Sequence, residues 1–110
     1  MATSESDDKK TLQSRGWPRV PVDYPVLFTG DESSGHGTVT NLTLAGGEMK
    51  SAIQLPLGAR LSLHMQPPSA RPIIVIALAI VRWKEGDRYG IEFVRFEGDA
   101  KEQLKDMLNQ

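Results

Sequence analysis

The chain has 110 residues, room for one compact domain with tails but not for two. Its 13 Lys and Arg nearly balance its 14 Asp and Glu, so no overall field draws nucleic acid or a charged membrane, and any anion site must be local. Cysteine is absent, which excludes disulfides, thiolate metal sites and cysteine nucleophiles and fits a reducing compartment.

Residues 1–13 are polar, of mixed charge and without hydrophobic periodicity, which predicts a flexible N-terminal tail rather than a signal peptide. The longest apolar run, Ile73 to Val81, is too short to span a bilayer as a helix. The expectation is a cytoplasmic protein with no membrane insertion.

From Val20 the pattern changes. Val22, Tyr24, Val26 and Phe28 alternate with Asp23, Pro25, Leu27 and Thr29, the period-2 signature of a half-buried strand. Pro25 donates no amide proton, so an edge or a bulge is expected there. Gly30 to Gly35 reads as a hairpin loop. A second strand is predicted from His36 to Leu44, a turn at Gly46-Gly47, a third strand from Glu48 to Ile53 and a fourth from Arg60 to Met65. Pro67-Pro68-Ser69-Ala70 breaks the chain before a long apolar strand from Ile73 to Trp83. Its partner runs from Tyr89 to Phe96 after the Glu85-Gly86-Asp87 turn. Ala100, Leu104, Met107 and Leu108 then recur at helical spacing behind Asp99, an expected N-cap. Five or six short strands with tight turns and one terminal amphipathic helix predict a small antiparallel β-barrel, the helix covering one opening.

Catalytic chemistry has no candidates. The only histidines, His36 and His64, fall on separate predicted strands with no acidic cluster around either, so neither a metal site nor a His-based catalytic pair is expected. The serines form no nucleophile elbow, and the glycines match neither a phosphate loop nor a dinucleotide fingerprint.

Two constellations point instead to ligand binding. In Arg15-Gly16-Trp17-Pro18-Arg19, two guanidiniums stand four residues apart where the tail meets the first strand. Pro18 pushes Trp17 towards an extended conformation. Guanidinium forks suit phosphate oxygens and the O6/N7 edge of guanine, since both offer acceptors that two N–H groups meet together. In Asn41-Leu42-Thr43-Leu44-Ala45-Gly46-Gly47, inward-pointing Leu42 and Leu44 leave Asn41 and Thr43 together on the opposite face, an amide beside a hydroxyl. Gly46 and Gly47 are expected to permit a sharp turn and the close approach of a ligand.

Together the two segments resemble the motifs of the PilZ family, RxxxR followed some 20 to 30 residues later by (D/N)xSxxG. They read here as Arg15…Arg19 and Asn41-x-Thr43-x-x-Gly46. The Val81-Arg82-Trp83 and Tyr89-Gly90-Ile91-Glu92-Phe93 strands and the terminal helix look like the family's later half, so the resemblance covers residues 14–109. It implies an all-β fold, a six-stranded antiparallel barrel with one C-terminal helix over residues 14–110, which binds the bacterial second messenger cyclic di-GMP without catalysis. By match, Arg15 and Arg19 reach phosphate and guanine groups on a segment that folds over the ligand. Asn41, Thr43, Gly46 and Gly47 line the barrel face, and Trp83 either packs near a guanine or is a barrel aromatic facing a neighbour. Thr43 stands where the family usually has Ser, and Ser14 where many members carry a further arginine, which favours one ligand per subunit. The resemblance leaves the signal to pass to a separate, unidentified downstream protein. The alternative is a protein-interaction adaptor of the same fold that binds no nucleotide. A barrel binding single-stranded nucleic acid is disfavoured, because such proteins need a basic groove and several stacking aromatics.

Overall fold

The computed structural model describes residues 20–31 and 33–109. Among these residues six strands, β1 (Val20–Gly30), β2 (Ser34–Leu42), β3 (Gly46–Lys50), β4 (Arg60–Met65), β5 (Ile74–Glu85) and β6 (Arg88–Phe96), precede one helix, α1 (Ala100–Leu108). All strand pairs are antiparallel, and the order β1-β2-β3-β6-β5-β4 closes on itself as a barrel.

The β1 alternation holds: Val26 and Phe28 are buried in the barrel, whereas Pro25, Leu27 and Thr29 face outwards. Closure leaves no edge for Pro25. It sits beside the bulge between Pro21 and Tyr24, where the β1–β4 ladder ends, and its carbonyl accepts a hydrogen bond from the Gln66 N–H at 2.9 Å. Thr38 faces it on the other side. The missing amide proton is therefore tolerated inside a closed sheet.

The core gathers Phe28, Leu42, Met49, Leu63, Met65, Ile74, Ile76 and Tyr89, each 1% exposed or less. The Tyr89 hydroxyl donates to the Ile53 carbonyl at 3.0 Å and accepts from the Leu55 N–H at 3.2 Å. Ser51 donates to the His36 carbonyl at 2.9 Å and accepts from the Ile53 N–H at 3.1 Å. These bonds pull residues 51–55 away from the ladder, which is why β3 stops at Lys50 rather than at the expected Ile53.

α1 packs against β5, burying Ala100 and Leu104 with the core while Met107 and Leu108 are partly covered. Asp99 occupies the N-cap position, but its side chain makes no capping hydrogen bond. Its ψ of 12° departs from the extended backbone that a capping side chain needs, and only its carbonyl takes part, accepting from the Gln103 N–H at 2.9 Å.

Candidate functional site

The β2–β3 hairpin builds one wall of an open groove. Its turn is held by Thr43, whose hydroxyl accepts from the Ala45 and Gly46 N–H groups at 3.0 and 3.1 Å and donates to the Gly46 carbonyl at 3.2 Å. The Thr43 N–H also donates to that carbonyl, at 2.7 Å. A threonine hydroxyl used this way forms a side-chain turn. The expected amide-and-hydroxyl pair thus exists in position, but the hydroxyl is engaged within its own turn.

Gly46 and Gly47 differ from expectation in their reason. Positive φ among the described glycines occurs at Gly58, Gly86 and Gly98, not here. Both lie inside β3 instead of forming the turn. A β-carbon on Gly46 would fall 2.2 Å from the Ile91 carbonyl oxygen, and one on Gly47 2.5 Å from that of Asn41. Glycine is needed because neighbouring strands come that close.

Opposite this wall, a bulge between Val81 and Trp83 sets the other. Val81 pairs with Ile91 and Trp83 with Gly90, so two residues of β5 span one step of β6. Val81 points into the core, yet Trp83 is turned to the outer surface with 38% of its area exposed. Its indole lies across Gly90, where a β-carbon would meet Nε1 at 2.0 Å.

Asn41, Thr43, Ala45, Gly46, Gly47, Arg82, Trp83, Gly90, Ile91 and Glu92 enclose a groove of about 210 Å³. Five of the seven residues expected at the site (Asn41, Thr43, Gly46, Gly47 and Trp83) therefore converge. Arg15 and Arg19 lie outside the described residues. Val20, the residue after Arg19, pairs with Leu42, beside Asn41 and Thr43. Arg82 and Glu92 add charge to the rim, ion-paired at 2.5 Å with both side chains about half exposed. The pair cancels, so the groove itself carries no excess positive charge among its described residues.

Behind Asn41 sits a charged residue that the sequence pattern did not single out. Glu48 is only 6% exposed. Its carboxylate accepts from Arg88 Nε at 2.5 Å, from Asn41 Nδ2 at 2.8 Å and from the Thr40 hydroxyl at 3.3 Å. The Arg88 hydrogen bond holds the Glu48 carboxyl below the usual carboxylate range against the opposing effect of burial, with smaller help from the Arg88 charge, Asn41 and Thr40. An ionised carboxylate can only accept, so Asn41 must turn its NH₂ towards Glu48. Asn41 Oδ1 is left buried and without a partner among the described residues. A buried acceptor in that state costs about 1–3 kcal/mol until a donor reaches it.

Among the described residues no group of three His, Asp or Glu side chains gathers as a metal site, and no helix is long and apolar enough to cross a membrane.

The profile of the family described as PilZ domain matches residues 13–110. Among solved structures, the Bacillus subtilis inhibitor of motility (MotI/DgrA) is similar at a TM-score of 0.69 and 17% identity, over 92% of this chain and 54% of that one. The chain thus spans about half the length of that relative. The PilZ domain of CeSA from a cellulose synthesizing bacterium is similar at a TM-score of 0.62 and 12% identity, over 84% of this chain and 95% of that one. At these identities the structural likeness speaks for the fold. No curated protein matches the chain.

Proposed function

The chain belongs to the PilZ domain family, and on that premise we propose that it is a non-enzymatic, cytoplasmic receptor for cyclic di-GMP. The observation that carries this reading is the convergence of Asn41, Thr43, Gly46, Gly47 and Trp83 on one groove. Its volume of about 210 Å³ is below the roughly 300–1,000 Å³ of pockets that enclose a whole ligand. It suits one base or phosphate of a dinucleotide, and the remainder needs further groups.

Arg15 and Arg19 are assigned that part. Among its described residues the groove has no excess cation, and the ligand has two phosphate charges. Fixing the arginine segment costs about 1–2 kcal/mol per backbone residue. Charge-assisted hydrogen bonds of about 1.5–3 kcal/mol each offset that cost. Trp83, 38% exposed at the side of the groove, offers an aromatic face to the base. Ordering of the arginine segment over the ligand changes the surface that a downstream protein reads, so binding acts as a population switch.

Calorimetry with cyclic di-GMP tests the assignment on wild type, Arg15→Ala and Arg19→Ala. The expected result is micromolar or tighter binding that each substitution weakens at least tenfold. Binding that survives both substitutions overturns the site. One observation favours the adaptor reading: the Thr43 hydroxyl is already engaged in its turn. No heat at millimolar nucleotide, with a protein partner still captured by the chain, decides for that alternative.

A further inference from the structure

We propose that Arg82 is a further phosphate-binding residue of the groove, held in the ligand-free protein by the Glu92 carboxylate, which a ligand phosphate displaces. This rests on the cyclic di-GMP reading above and adds a residue to that site. Successive residues of a strand point to opposite faces, but the bulge between Val81 and Trp83 breaks the alternation. Arg82 and Trp83 are therefore both exposed and both line the groove, so a cation and an aromatic ring share one wall.

Glu92 pairs with Gly46 in the β3–β6 ladder and with Ile80 in the β5–β6 ladder, which places it between the two walls. Its carboxylate accepts from Arg82 Nε at 2.5 Å. A carboxylate at this point repels a dianionic ligand unless a cation neutralises it. The pair is loosely held, because its side chains are 56% and 48% exposed, and water leaves such a pair little net worth. A phosphate offers the guanidinium the same two-oxygen edge, and one brought in by a base on Trp83 competes at high effective concentration. The released Glu92 carboxylate is then solvated where it stands. Arg88 has no such freedom: its partner Glu48 is buried, and leaving it would strand a charge away from water.

Calorimetry with cyclic di-GMP tests this on wild type, Arg82→Ala, Glu92→Gln and the double variant. An exposed ion pair contributes little to stability, so all four proteins fold. The double variant decides most, since it leaves the groove as neutral as in wild type and removes the contact alone. Glu92→Gln is expected to bind about threefold tighter than wild type, with no carboxylate to displace. The double variant is expected to bind about fivefold weaker, and Arg82→Ala, which leaves Glu92 unneutralised, about tenfold weaker. Arg95→Ala removes an exposed charge of β6 outside the groove and changes affinity less than about twofold. Wild-type affinity in the double variant, binding no tighter in E92Q, or an equal loss in Arg95→Ala overturns the inference and leaves the receptor reading standing. Absence of cyclic di-GMP binding by the wild type overturns both.

Discussion

Trp83 and Gly90 face each other across the β5–β6 ladder so closely that no β-carbon fits between them. The indole uses the bare glycine backbone as its seat, and this keeps the ring at the side of the groove. Gly90→Ala must therefore displace the ring or bend the strand. The expected cost is about 1–3 kcal/mol, the usual penalty for overpacking. Denaturant unfolding gives the stability, and tryptophan emission of the folded variant shifts as the ring leaves its seat. Wild-type stability together with wild-type emission contradicts the packing described.

Thr43 has a structural duty that its serine-like role in the motif hides. Thr43→Ser keeps the hydroxyl that takes the Ala45 and Gly46 amides, and the stability change stays within about 0.5 kcal/mol. Thr43→Ala removes the acceptor of those exposed and half-buried amides and costs about 0.5–1.5 kcal/mol. Urea unfolding of the two variants separates these outcomes. An alanine variant as stable as the serine one would show that the hydroxyl does not hold the turn.

Glu48 and Arg88 give the fold an acid-sensitive lock. The folded protein holds the Glu48 carboxyl below its unfolded value, so the unfolded state binds more protons on the acid side. The stabilisation is present above the unfolded pKa and is lost as pH falls through the folded one, at and below about pH 4. Arg88→Ala removes the largest cause of the depression. Its stability deficit against wild type is expected at pH 7 and narrows on acidification. A deficit that does not change with pH excludes this linkage.

Much of the barrel is legible in the residues, because alternation reports which face of a strand is buried. Val22 to Phe28 gives β1, and Arg60 to Met65 gives β4 to the residue. The β2–β3 connection is less so. Gly46-Gly47 looks like a turn, yet the turn is made by the Thr43 hydroxyl three residues before Gly46, and the glycines serve close strand contact. Bulges are the second obstacle. Strict alternation from Val81 turns Trp83 inwards, and one extra residue in β5 turns it out. Glu48 reads as an ordinary strand residue, since its partner Arg88 lies 40 positions away and only the β3–β6 ladder brings them together.

Ser69 and Ala70 both adopt left-handed backbone, with φ of 64° and 60°, in the connection from β4 to β5. Such a conformation costs a residue with a β-carbon about 1–2 kcal/mol. Ala70→Gly relieves most of that while adding flexibility to the unfolded chain. The net expectation is a gain of about 0.5–1 kcal/mol in denaturant unfolding. A loss of stability on this substitution contradicts the backbone geometry of the loop.

The proposed receptor takes up cyclic di-GMP in one groove between the β2–β3 turn and Trp83. The most direct measurement is a titration of the ligand into isotope-labelled protein, followed by amide and indole NMR. Shifts are expected at Asn41, Gly46, Gly47 and Gly90, at the Trp83 indole N–H and at Arg15 and Arg19, with α1 and the β4–β5 loop unmoved. Shifts centred elsewhere on the barrel, or none at millimolar ligand, contradict this site.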